Sequence, residues 1–190
     1  MTAQLHVALR EYPAELAFLM PFDASIPDGL AQLEECPDLL DAANLDRARR
    51  EWAVLEPLVS SRTAFEAAFP KADIQPIHGD APYYNIIDTP EGMLCSDFEH
   101  VTAGPVECDL ALVSPQEQAV YNAAAVQLGL RPLDPRLLRV MGSARMLQSV
   151  ACLALVPQLP MLAEGLRSPL DHWRTTSMAE ELLHTRNCRP

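Results

Sequence analysis

The chain has 190 residues, of which 49% are hydrophobic and 21% are charged, and it carries a formal net charge of −12. This composition is typical of a globular domain with one sizeable core. The chain has 26 acidic and 14 basic residues. A nucleic-acid backbone is therefore an unfavourable partner, whereas a cationic small molecule would be attracted by the negative electrostatic potential of the protein.

The cysteines and the N-terminal sequence bear on where the protein works. The five cysteines include no C-x-x-C pair, which argues against a disulfide framework or a zinc knuckle. Residues 1–5 do not show a basic region followed by an apolar run, and no stretch approaches eighteen uninterrupted apolar residues. The sequence therefore predicts a protein of the reducing cytoplasm, without a membrane partner.

The first elements in chain order are two short apolar runs, at residues 6–10 and 15–22. Runs of this length separated by a proline favour a β-hairpin, although a helix shows a similar pattern. Residues 23–29 contain the Pro, Asp and Gly that are typical of a loop. We expect a hairpin followed by an irregular connection.

Helical periodicity dominates most of the remaining chain. Asn44 is a candidate N-cap for a helix that reaches Val59, and Pro57 is expected to kink that helix. A short apolar face follows at residues 64–69. Three later segments also have helical character: 114–128 with Gly129 as C-cap, 136–156, and 162–183 interrupted by Pro169.

One clear β signal lies in the middle of the chain. Ile86-Ile87 and residues 93–95 flank residues 88–92, which have the composition of a tight connection. Two antiparallel strands of nearly equal length place their open ends together. We therefore expect the hairpin to bring Asp97 back beside Asn85.

The residues around this hairpin are of the types that phosphoryl transfer requires. A His-Gly-Asp sequence ends at Asp80, Asn85 follows five residues later, and Asp97 follows the hairpin. A carboxylate such as Asp80 can accept the proton of an acceptor hydroxyl. The side-chain oxygens of Asn85 and Asp97 suit Mg²⁺, which prefers hard oxygen ligands. His78 is better suited to the loop scaffold, hydrogen-bonded to backbone, than to proton transfer.

Residues 74–111 resemble the aminoglycoside phosphotransferase and choline kinase superfamily. That family has His-Gly-Asp with Asn five residues later in its catalytic loop, and Asp followed by an aromatic residue in its metal loop. The resemblance implies that Asp80 is the catalytic base, that Asn85 and Asp97 are Mg²⁺ ligands, and that Asp109 is a buried acid bracing the catalytic loop. It also implies ATP as the phosphoryl donor and a hydroxyl of a small molecule as the acceptor.

The chain departs from the family pattern in three places. Ser96 stands where the family usually has an apolar residue, and Tyr83 and Tyr84 occupy positions often held by smaller residues. We expect these tyrosines to make the acceptor site narrower or to stack in it. The larger departure concerns the nucleotide phosphates, because a complete kinase holds them with a glycine-rich hairpin and a strand lysine. No G-x-G occurs in this chain, and its one lysine is Lys71.

Together these features predict an α+β, mostly helical protein, namely the C-terminal lobe of a protein-kinase-like fold with a short β remnant of the nucleotide lobe. Residues 1–29 would form that remnant and the hinge, and residues 30–190 the catalytic and substrate-binding helical lobe. A partner or a missing segment would then supply the rest of the nucleotide lobe.

Two alternatives to the phosphotransferase stay open. A catalytically degenerate pseudokinase or binding module would keep the pocket without turnover, and the missing phosphate clamp favours it. A metal-dependent hydrolase could use the imidazole and carboxylate groups of the same region, although their spacing lacks a compact metal motif. These groups belong to His78, Asp80, Asp97, His100 and Asp109.

Overall fold

The computed structural model describes residues 1–80 and 82–176. Within these residues lie seven α-helices, four strands and three short 3₁₀ turns, so the predicted α+β, mostly helical character is confirmed. The helices are α1 (Thr2–Leu9), α2 (Met20–Glu34), α3 (Ala42–Val59), α4 (Arg62–Ala68), α5 (Pro115–Gln127), α6 (Pro135–Ala151) and α7 (Leu162–Thr175). The strands are β1 (Ile74–Ile77), β2 (Ile86–Thr89), β3 (Gly92–Cys95) and β4 (Thr102–Pro105), and the 3₁₀ turns are Phe98–His100, Val106–Cys108 and Cys152–Leu155. None of the described helices combines the length and the apolar character needed to cross a bilayer.

The chain divides into two compact units. One consists of Met1–Pro21 and Glu66–Met141, and the other consists of Phe22–Phe65 together with the described residues from Gly142. Both sheets and all of the predicted site residues lie in the first unit. The predicted division into residues 1–29 and 30–190 concerns the lobes of a larger fold, and it stays a prediction.

The two sheets of the first unit are small and antiparallel. In the β2–β3 hairpin Ile86 lies opposite Cys95 and Thr89 lies opposite Gly92, which confirms the predicted hairpin. The connection is tighter than predicted, since it consists of Pro90 and Glu91 alone. The predicted metal ligands lie at the open end of this hairpin in the sequence: Asn85 directly precedes β2, and Asp97 comes shortly after β3.

The second sheet, between β1 and β4, was not predicted, because Pro76 lies in the middle of β1. A proline cannot donate to a strand ladder, so it usually argues against a strand. Here Pro76 lies opposite Ala103, whose N–H donates to the Ala17 carbonyl and whose carbonyl accepts from the Leu19 N–H. Because the peptide groups of Ala103 face away from β1, no donor is needed from Pro76.

The predicted hairpin over residues 6–22 is wrong. Residues 2–9 form α1, which buries Ala3 and His6 on one side and packs against α5 and β1. The predicted β remnant is reduced to a single parallel bridge between Phe18 and Ala103. The assignment of the whole chain to one kinase lobe stays a prediction.

The predicted loop over residues 23–29 is also wrong, because this stretch lies inside α2 with Pro27 in the helix. Gly29 permits close packing in the second unit, since a Cβ atom there would lie 2.7 Å from the Cβ of Ala151. Tertiary burial thus outweighs the local preference for a turn. The apolar residues of α2 recur at helical spacing and are buried: Phe22, Ile26, Leu30 and Leu33.

The other helix predictions hold with changes at their ends. The N-cap of α3 is Asp41, whose side chain accepts from the Asn44 N–H, and Pro57 lies within α3 without ending it. Gly129 follows α5 with φ +73°, as expected of a residue that ends a helix. Pro169 likewise lies within α7, and the part of the predicted last helix beyond residue 176 lies outside the described residues.

A buried polar cluster joins α3 to α7 in the second unit. The indole N–H of the fully buried Trp173 donates to Glu51 Oε2 at 2.7 Å, and Arg47 Nε donates to Glu51 Oε1 at 3.0 Å. The Arg47 guanidinium also lies 4.4 Å from the Trp173 ring centroid and donates to the carbonyls of Arg174 and Thr176. These bonds satisfy a buried carboxylate and two carbonyls at the end of a helix.

Replacing Trp173 by phenylalanine should lower the free energy of unfolding by about 1–3 kcal/mol in addition to the lost packing, because Glu51 loses a buried donor. Urea denaturation followed by circular dichroism measures the change. Trp52→Phe is the matched control, since Trp52 is also buried and its indole makes no hydrogen bond to a described residue. Equal losses in the two variants would contradict a specific contribution of the Trp173–Glu51 bond.

Candidate functional site

Asp109 anchors the loop that connects β1 to β2. Its Oδ2 accepts from the His78 N–H at 2.8 Å and its Oδ1 accepts from the Gly79 N–H at 2.9 Å. Asp109 is 1% exposed, so its carboxylate needs such donors. The predicted burial of Asp109 and its bonds to the loop backbone are confirmed.

Gly79 allows this loop to pass directly against another backbone segment. Its φ is +82°, and a Cβ atom placed on it would lie 1.9 Å from the carbonyl oxygen of His100. Only glycine fits both the left-handed conformation and the close approach. The glycine of the His-Gly-Asp sequence is therefore required by packing.

His78 connects the loop to the segment that follows the hairpin. The ring is fully buried, Nε2 donates to the Ser96 carbonyl at 2.8 Å, and the Phe98 ring lies 5.1 Å away by centroids. Its Nδ1 has no hydrogen-bond partner among the described residues. The predicted hydrogen bond from His78 to backbone is confirmed, but the backbone is that of Ser96, in the segment before Asp97, and not that of the loop itself.

Asn85 is fixed on both sides by hydrogen bonds. Its Nδ2 donates to the Asp80 carbonyl at 2.9 Å, and its own carbonyl accepts from the N–H and the hydroxyl of Ser96 at 2.9 and 3.2 Å. Ser96, the departure from the family pattern, thus ties the segment before Asp97 to the loop. The Asn85 Oδ1 atom makes no hydrogen bond to a described residue, and it is the oxygen that could face a ligand.

Asp97 directly follows Ser96 and has the left-handed conformation, with φ 62° and ψ 57°. Such a conformation costs about 1–3 kcal/mol in a residue other than glycine, and residues held in it cluster at active sites, ligand clamps and switch regions. The Asp97 side chain is exposed and does not cap the 3₁₀ turn that follows. Asp97 therefore offers an exposed carboxylate one residue after Ser96, whose N–H donates to the Asn85 carbonyl.

The donor set of Asn85 and Asp97 fits Mg²⁺, because amide and carboxylate oxygens are hard ligands. Two protein ligands suffice where substrate phosphates supply further oxygens. That both side chains bind one ion stays a prediction. The hydrolytic centre has no support, since the described residues contain no group of three or more His, Cys, Asp or Glu side chains that could hold a metal.

Asp80, the predicted base, is half-buried. Its carbonyl accepts from Asn85 Nδ2, and its carboxylate makes no hydrogen bond or ion pair to a described residue. Its chemical function stays a prediction. The rings of Tyr83 and Tyr84 lie 4.5 Å apart, and Tyr84 is 82% exposed. Whether they narrow an acceptor site is also still a prediction.

Two buried polar groups near the site were not identified from the sequence. His6 on α1 is fully buried, and its Nε2 donates to Asp109 Oδ2 at 3.1 Å. Glu107 is fully buried and accepts two bonds from the Arg131 guanidinium, at 2.6 and 2.9 Å. Both contacts join residues distant in the chain, so no local pattern signals them.

The helical body with two small antiparallel sheets is consistent with part of a kinase-like fold. Among solved structures the chain is similar to that of LicA in complex with AMP, with a TM-score of 0.55 and 17% sequence identity. The match covers 88% of this chain and 61% of the LicA chain. No family model matches the sequence, and neither does any curated protein. At this identity the likeness concerns the fold, which is kinase-like.

Proposed function

We propose that the chain is the catalytic part of an ATP- and Mg²⁺-dependent phosphotransferase acting on a hydroxyl of a small molecule. The observation that carries the proposal is the hydrogen-bonded path from Asp109 through the backbone of His78 and Gly79, and from His78 through Ser96 to Asn85. This path holds the loop bearing Asp80 and the segment bearing Asp97 in one arrangement. The fold likeness to LicA, which was solved with AMP, supports a nucleotide as co-substrate.

In the proposed reaction Asp80 orients the acceptor hydroxyl and takes its proton. A bond forms between the acceptor oxygen and the γ-phosphorus, the bond from that phosphorus to the bridging oxygen breaks, and ADP leaves. Phosphoryl transfer depends mainly on positioning and charge stabilisation. A rigid loop is therefore the contribution that matters most, and the Asp109 brace provides it.

Asn85 Oδ1 and an Asp97 carboxylate oxygen are the groups that would hold the metal. When bound there, Mg²⁺ supplies neutralisation of negative charge on the nucleotide phosphates. Asn85 is oriented for this by the bond from its Nδ2 to the Asp80 carbonyl. The net charge of −12 favours a cationic acceptor, and we place the reaction in the cytoplasm.

A binding module without turnover is the second candidate, and one observation favours it. Lys71 is exposed in the turn before β1, so the one lysine of this chain is not on a strand where it could bind nucleotide phosphates. The chain also covers only 61% of the LicA chain. A partner or a further segment would have to supply the missing phosphate contacts for full activity.

The test is a measurement of ATP affinity by calorimetry with Mg²⁺ present, together with phosphorylation of aminoglycosides, choline-like alcohols and sugars. We expect weak ATP binding and turnover below the usual kinase range of about 1–100 s⁻¹. Asp80→Asn should reduce the remaining turnover by about 10²–10⁴-fold, as for the loss of a general base.

Asp88→Asn is the control for this experiment. Asp88 is exposed on β2 of the same hairpin and has no role in the proposed site, so its variant should match the parent. Turnover that is unaffected by Asp80→Asn would exclude Asp80 as the base. ATP binding with no phosphorylation of any acceptor would favour the binding module.

A further inference from the structure

We propose that His6, on the N-terminal helix α1, is a positioning residue for the catalytic loop and acts through Asp109. The inference rests on the proposed function only in that the loop is called catalytic. The contact that carries it is the 3.1 Å bond from His6 Nε2 to Asp109 Oδ2, which joins residues 103 positions apart in the chain.

The Asp109 carboxylate has three donors in a buried setting. Two are the loop amides of His78 and Gly79, and the third is His6. Both His6 and Asp109 have side chains with no exposed surface. A carboxylate removed from water is oriented by its hydrogen-bond donors. If one donor is lost, water cannot replace it, and a lone pair of the carboxylate is left without a partner. His6 thus orients the group that orients the loop.

The orientation of the His6 ring is itself determined by its second nitrogen. Nδ1 lies 2.8 Å from the Tyr121 hydroxyl. Since Nε2 must carry a proton to donate to a carboxylate, a neutral His6 accepts from the hydroxyl at Nδ1. Burial, followed by the charge of Glu107, raises the pKa of Tyr121 far above its usual value, so the hydroxyl keeps the proton that it donates.

The backbone of His6 is fastened to the strand that leads into the loop. Gln75 on β1 donates its Nε2–H to the His6 carbonyl at 3.0 Å and accepts from Arg10 Nε at 2.5 Å. Arg10 also forms an ion pair with Asp73. Helix α1 is therefore attached to β1 and to Asp109 at once, and β1 ends at Ile77, immediately before His78.

Amide hydrogen exchange of the full chain without nucleotide tests the inference directly. In His6→Leu we expect the amides of His78 and Gly79 to exchange about tenfold faster than in the parent, which corresponds to the loss of one hydrogen bond. The amides of Val140 and Met141, which are buried on α6 in the same unit, should change much less. His6→Gln should restore much of the protection, because its amide group offers one donor and one acceptor.

A merely structural role of His6 predicts a different pattern. Global destabilisation accelerates all strongly protected amides of the first unit together, so equal acceleration at Val140, Met141 and the two loop amides would overturn the proposal. If His6→Leu does not fold, Tyr121→Phe provides the second variant. It removes only the hydroxyl at Nδ1, and we expect about threefold faster exchange at the same two amides. The absence of a selective change at these two amides in Tyr121→Phe would overturn the proposal as well.

Kinetics separate this inference from the proposed function. If the parent transfers phosphate, His6→Leu should lower kcat about tenfold with the KM for ATP unchanged, and His6→Gln should recover most of kcat. A raised KM for ATP with kcat unchanged would contradict positioning. One outcome is that the parent shows no phosphoryl transfer while the amides of His78 and Gly79 exchange faster in His6→Leu, as expected. In that case the proposed function is wrong, and the positioning of the loop by His6 is still supported.

Discussion

Replacing Gly79 by alanine is expected to lower the free energy of unfolding by about 3–5 kcal/mol in total. Part of this cost is the left-handed conformation at φ +82°. The larger part is steric, since the new Cβ atom would lie 1.9 Å from the His100 carbonyl oxygen, and backbone cannot yield as a flexible side chain does. Urea denaturation of the purified variant measures the loss.

Gly129→Ala isolates the contribution of the backbone conformation. Gly129 has a similar φ of +73°, and an added Cβ atom would meet nothing within 4 Å. We expect a loss of about 1–2 kcal/mol there. If the two alanine variants were equally stable, the close approach of the loop to His100 would not exist in solution.

Replacing Asp109 by asparagine is expected to cost about 3–5 kcal/mol, as when one partner of a buried charged interaction is removed. The carboxylate accepts from His78, Gly79 and His6, whereas an amide has one oxygen and an NH₂ group. At least one donor would then face another donor, and the loop would lose its orientation. Thermal or urea denaturation measures stability, and the phosphorylation assay measures the loss of any turnover.

Asp88→Asn provides the matched control for the charge change, because Asp88 is exposed on the same unit. A surface substitution of this kind should alter stability by less than about 0.5 kcal/mol. An Asp109→Asn variant as stable as the control would mean that the carboxylate does not brace the loop.

Local sequence patterns were sufficient to predict those elements whose stabilising contacts lie within one short stretch of the chain. The hairpin from Ile86 to Cys95 was predicted because its turn residues and its strands are adjacent in sequence. Helix α3 was predicted from apolar residues at helical spacing. The end of α5 was predicted from Gly129, which follows the last turn of that helix. The burial of Asp109 was also anticipated, from the family resemblance of the surrounding residues.

Local patterns failed where distant contacts reverse a local preference. The composition of residues 23–29 favours a loop, but four buried apolar residues and the packing of Gly29 on Ala151 make it part of a helix. Pro76 argues against a strand, yet it occupies a register position of β1 at which the partner residue Ala103 turns its peptide groups away. These outcomes depend on segments more than twenty residues away.

The sequence by itself determined the types of group available for chemistry, namely the carboxylates of Asp80 and Asp97 and the amide of Asn85, and the hairpin that returns the chain between them. Residue type and turn chemistry suffice for that, because both are local properties. Only the tertiary structure decided that His6 reaches Asp109 across 103 positions. A buried carboxylate needs donors wherever the fold can supply them, and their place in the sequence follows from packing alone.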